Sequence, residues 1–138
     1  MRYDPVAKLP DVAKEAAPMQ ILANILVGVL AVLHAYILVL EMFLWQTPRA
    51  RAAFGTDPEF AAASAPLAAN QGLYNGFLAA GLAWGLIVGG DVGFQFKVFF
   101  TLCVIVAGVY GAATATKRIL FVQVIPGALT LAALLLAG

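Results

Sequence analysis

Charge is scarce in this chain. Of 138 residues, 11% are charged and 63% hydrophobic, where an average soluble domain carries about 25% charged residues. That composition excludes a water-soluble fold. The eight Lys and Arg nearly balance the seven Asp and Glu, so no field of one sign exists to attract nucleic acid or a highly charged protein partner. Cysteine and histidine are scarcer still, at one each. Cys103 has no partner for an intramolecular disulfide and lies in an apolar run, where it reads as helix packing. One His and one Cys cannot build the usual His/Cys metal site, and bis-histidine haem ligation is impossible within one chain, so no metal or cofactor is expected. There is no Gly-rich nucleotide loop after a strand and no serine in a nucleophile elbow, and the apolar interior offers no lysine for a Schiff base.

What the sequence has instead is long apolar runs. A helix needs about 20 apolar residues to cross a hydrocarbon layer of about 30 Å. Four stretches meet or approach that length, residues 19–45, 67–88, 94–115 and 119–136. Helices are expected because open strands leave backbone groups unpaired in lipid. The chain therefore predicts an all-α membrane protein, an antiparallel bundle of four transmembrane helices over residues 19–138, preceded by a polar N-terminal extension over residues 1–18. The first apolar run is too long for a signal-peptide core of about 7–15 residues, so it is expected to stay in the mature protein.

The connections carry turn chemistry. Gly89, Gly90 and Asp91 close the second helix, and Lys117 with Arg118 mark the third turn. The first connection is longer. Thr47 precedes Pro48, and Thr56 precedes Asp57, Pro58 and Glu59 at capping-box spacing, so two short interfacial helices are expected there, the second carrying Phe60. Small residues at four-residue spacing (Gly72, Gly76, Ala80; Gly81, Gly85, Gly89; Ala107, Gly111, Ala115) favour close helix packing, within one chain or in a homodimer. Basic residues tie across the two sides: Arg49, Arg51, Lys117 and Arg118 against Arg2, Lys8, Lys14 and Lys97. All four of the first set lie close to helix ends, which leans toward both termini outside the cytoplasm of a bacterial inner membrane.

An ionisable group within a span costs about 2.5–3.5 kcal/mol at the helix centre and needs a reason to be there. Two qualify, His34 and Glu41. Seven residues separate them, two helical turns, so they share one face of the first helix, with Trp45 following. In an antiparallel arrangement the end of that helix meets Asn70, Gln71, Tyr74 and Asn75 of the second, Tyr110 and Thr114 of the third, and Gln123 of the fourth. Polar side chains thus concentrate beneath the first and third connections, and the opposite half offers little besides Thr101 and Cys103. Such groups converge on one another, on water or on a ligand.

The run HAYILVLEMFLW from His34 to Trp45 continues through TPRARAAFG, AANQGLYNGFLAAGLAWG, VIVAGVYGAAT and ILFVQVIPG, the last from Ile119 to Gly127. From about Gln20 to the end, the chain resembles a widespread family of small bacterial four-helix membrane proteins classified only as a domain of unknown function. The resemblance implies the four-helix membrane fold. It highlights His34, Glu41, Asn70, Gln71, Tyr74, Asn75, Tyr110 and Gln123, and it supplies no activity.

Three functions fit these residues. One is a binding or proton-coupled transport protein for a small or lipophilic molecule, with Glu41 and His34 handling the proton and Trp45, Asn70, Gln71, Tyr74, Asn75, Tyr110, Thr114 and Gln123 around the ligand. The second is a membrane-embedded acid/base enzyme, such as an isomerase, cyclase or epoxide-opening enzyme, using Glu41 or His34. The third is an accessory subunit of a larger membrane complex.

Overall fold

A computed structural model describes residues 9–138, with side chains described from Ala17 onward. Most of the N-terminal extension, with Arg2, Lys8 and Lys14 of the charge comparison, lies outside the described side chains. The elements in chain order are α1 (Leu9–Met42), α2 (Pro48–Phe54), α3 (Pro58–Val88) and α4 (Gly90–Thr114), then a π-helical turn (Leu120–Val124) that runs into α5 (Ile125–Ala137). No strand occurs among the described residues. Helices of this kind satisfy every backbone group within the segment.

Among the described residues three segments are long and apolar enough to cross a membrane: Ala17–Met42, Gly90–Thr114 and Leu120–Ala137. α3 has the length, at 31 residues, but Asn70, Gln71 and Asn75 dilute its hydropathy. α1 is longer than its apolar run predicts. It begins in the extension and carries Pro18 within it.

The first connection differs from expectation in one respect. α2 forms as predicted, with Thr47 at its N-cap accepting a hydrogen bond from the Ala50 amide at 3.4 Å, Pro48 in its first turn and Gly55 closing it at φ 68°. The second short helix does not exist separately. Asp57, not Thr56, caps α3, its carboxylate accepting from the Phe60 amide at 2.7 Å, and the helix continues without a break past Pro66 to Val88. A cap one residue later leaves proline at the first helical position, where its missing N–H costs nothing.

α1 packs against α3 and α5, α3 against α4, and α4 against α5. The glycines explain which faces meet. A Cβ on Gly72 would come within 2.7 Å of Met42 and 3.0 Å of Glu41 Cβ, and Gly76 lies under Leu38, so this stripe receives α1. Gly81 lies under Phe100, and a Cβ on Gly85 would stand 3.0 Å from the Gly93 carbonyl oxygen, so the second stripe receives α4. Four of the six stripe positions on α3 are thus covered within the chain, while Ala80 is exposed and a Cβ on Gly89 would meet nothing within 4 Å. Ala23, Val27, Leu30, Leu82, Val104, Ala133 and Leu134 form the buried apolar core between the helices.

The π-helical turn lies two residues before Pro126, which has no N–H to continue an α ladder. Within it, Gln123 donates from Nε2 to the Val104 carbonyl of α4 at 2.9 Å.

Candidate functional site

Glu41 sits one residue before the end of α1 and is 3% exposed. Its burial follows from the glycine opposite. Gly72 lets α3 close against the Glu41 stem, and one turn further along α3 the Asn75 amide nitrogen reaches both carboxylate oxygens, at 3.5 and 3.4 Å. That nitrogen also donates to the Gln71 carbonyl at 3.3 Å, which fixes its direction. Asn75 is the one hydrogen-bond partner of Glu41 among the described residues. The donor is neutral, so it satisfies lone pairs without cancelling charge.

Beside Glu41 lies a cavity of about 300 Å³ lined by Met42, Phe43, Trp45, Gln46, Thr47 and Ala65. Its wall is organised by Trp45, whose indole N–H donates to Ser64 Oγ at 3.0 Å and whose ring lies 4.9 Å from that of Phe54. Ser64 in turn donates to the Phe60 carbonyl at 2.6 Å. These bonds tie the end of α1 to α2 and to the first turns of α3. Arg118 holds α2 from the other side, donating to the Ala53 carbonyl at 3.0 Å, and Ala50 faces inward with no exposed surface.

His34 lies two turns deeper along α1 and is completely buried. Its Nδ1 is 2.8 Å from the Leu30 carbonyl oxygen. A carbonyl can only accept, so Nδ1 bears a hydrogen in this contact, and in the neutral ring Nε2 is then the acceptor. Nε2 is buried without a hydrogen-bond partner, and so is the Thr101 hydroxyl of α4.

The structure thus brings Glu41 and Asn75 together, with Trp45 on the adjoining wall. The other sequence candidates lie apart from that contact. Asn70 and Gln71 are on the exposed face of α3. Tyr74 and Tyr110 are 58% and 72% exposed. Thr114 donates to the Tyr110 carbonyl of its own helix, and Gln123 braces α4. Sequence reasoning missed Ser64 and Phe54 and read Thr47 only as a helix cap; their part at the cavity depends on how the first connection folds. It also missed the other end of the helices. There Lys97 of α4 donates to Asn24 Oδ1 of α1 at 2.9 Å, at the edge of a second cavity of about 570 Å³. Lys97 belongs to the apolar segment Gly90–Thr114 and is half-buried, and its bond to Asn24 of α1 is exposed. Among the described residues no group of His, Cys, Asp and Glu side chains is placed to hold a metal ion.

Three apolar segments long enough to span a membrane suggest a helical membrane protein. The chain belongs to a family described as "Protein of unknown function (DUF1304)", whose model matches residues 28–135 and so includes Glu41, His34, Asn75 and Lys97. Comparison with curated proteins and with solved structures finds no match.

Proposed function

We propose that the protein is a multi-pass inner-membrane protein that binds a small lipophilic cation beside Glu41 and exchanges it for a proton. In this reading α3 is a fourth crossing. The glycine-mediated contacts of α1 with α3 and of α3 with α4 support an antiparallel four-helix bundle, and Asn70, Gln71 and Asn75 are the polar exception that a binding helix carries. The observation that carries the proposal is the Glu41 carboxyl group, 3% exposed, beside a cavity and held by one neutral amide. An ionised acid there calls for a cation, supplied by a proton or by a ligand. Trp45 and Phe43 give the cavity aromatic surface suited to a cationic ligand. α2, tied down by Arg118 and Trp45, closes over the same end, where movement would admit the ligand. His34 extends the proton path toward the middle of the membrane.

The test is calorimetric titration of the purified protein in neutral detergent with tetraphenylphosphonium. Saturable binding that weakens at least ten-fold in Glu41→Gln is the expected result. Binding unchanged by Glu41→Gln would overturn the proposal.

A further inference from the structure

The end of the helices opposite Glu41 holds a cavity of about 570 Å³ whose walls come from α1, α3, α4 and α5. Lys97 reaches it because of a glycine. The Lys97 stem lies over Gly85, where a Cβ would stand 2.8 Å from Lys97 Cγ, and this directs the ammonium across α3 to Asn24 on α1. An ammonium has three donors and a full charge, and one amide oxygen answers only the first of these needs. Lys97 is half-buried at the rim of the cavity and its bond to Asn24 is exposed, so its charge lies where a ligand entering the cavity can reach it.

The rest of the lining narrows the ligand. The Gln20 and Asn24 amides add neutral donors, and Phe94 and Leu134 provide an apolar wall. Asp91, exposed six residues before Lys97, lines the same cavity. Its carboxylate repels any anion, so a negative group is held only close to Lys97, and each further negative charge adds repulsion that disfavours a polyanion. We propose that this cavity binds a singly charged anionic group joined to an apolar chain, with Lys97 as its counter-ion and Asn24 positioning the ammonium. A free amphiphilic carboxylate and a phosphodiester lipid head group share that chemistry. The site lies 17 residues along α1 from Glu41, about 26 Å at ~1.5 Å per residue, and does not depend on the cation reading of that end.

Native mass spectrometry of the protein in neutral detergent tests it. Decanoate is compared with decanol, and dioleoylphosphatidylglycerol with dioleoylphosphatidylcholine. The expected result is at least five-fold more adduct for the anionic member of one pair or both. Preference in the decanoate pair alone identifies a free amphiphile, and preference in the lipid pair alone identifies a membrane lipid. Lys97→Gln should remove the preference, Lys97→Arg should keep it, and Glu41→Gln should leave it unchanged. Equal adducts within both pairs for the wild-type protein would overturn the proposal whether or not the variants fold, and so would a preference that survives in folded Lys97→Gln.

Discussion

The two ends of the helices treat a charged side chain by the same device and reach different outcomes. At one end Glu41 lies over Gly72 and takes its hydrogen bond from Asn75. At the other Lys97 lies over Gly85 and gives its hydrogen bond to Asn24. In each case a glycine makes room for the stem and an asparagine on a neighbouring helix satisfies the head without neutralising it. The difference is enclosure. Glu41 is buried against Gly72 and Asn75 of α3 and borders a cavity of about 300 Å³, whereas Lys97 is partly exposed at the rim of about 570 Å³. The apolar core of Val27, Leu30, Leu82, Val104 and Leu134 separates the two. Glu41 and Lys97 thus stand at two separate places, each proposed to meet a ligand of opposite sign.

The sharpest way to break the comparison is to remove the room. Gly72→Leu would drive a side chain into Met42, Glu41 and the Leu38 backbone, and should cost about 3 kcal/mol or more. Gly28→Leu, which meets nothing within 4 Å, should leave the unfolding midpoint in detergent nearly unchanged. Equal effects would mean that Gly72 is not a packing contact.

A smaller effect is expected from the partner. Asn75→Leu leaves Glu41 without its donor and should destabilise the fold by about 1–3 kcal/mol. Glu41→Leu/Asn75→Leu should recover part of that loss, because a matched apolar pair leaves no orphaned polar group. A double variant as unstable as the sum of the singles would show that the two side chains do not interact.

The cap of α3 ranks next. Asp57→Ala should cost about 1 kcal/mol through loss of the bond from the Phe60 amide, and Thr56→Ala should cost less, which would separate the cap that forms from the one the sequence pattern suggests.

Smallest of all are the outlying tyrosines. Tyr74→Phe and Tyr110→Phe should shift stability by under about 0.5 kcal/mol and leave tetraphenylphosphonium binding unchanged. A loss of binding in either would extend the site beyond the contact of Glu41 with Asn75.

How much of this was legible in the sequence differs between the fold and the site. The helical class followed from hydropathy, and the turns at Pro48 and Gly89 from residues with restricted or unusual backbone preferences. Asn75 was legible too, because a carboxylate at the end of one helix needs a donor at the start of the next. The wider cluster failed to converge for an angular reason. Asn70, Gln71 and Tyr74 share the depth of Glu41, but depth does not determine which side of α3 faces α1, and Gly72 with Gly76 takes that face. Lys97 was counted as a residue near a helix end, where lysines usually extend toward water. Its course toward α1 depends on Gly85 of another helix, a pairing that no local pattern displays. The π-helical turn is equally tertiary, resting on Pro126 and on the reach of Gln123 to α4.

The central claim is that Glu41 exchanges a proton for a cation. Its most direct test is uptake of tetraphenylphosphonium by proteoliposomes under an imposed pH gradient with the membrane potential clamped. The account predicts uptake driven by the proton gradient in the wild-type protein and in Lys97→Gln, and none above empty liposomes in Glu41→Gln. Gradient-driven uptake by Glu41→Gln at the wild-type rate would contradict it.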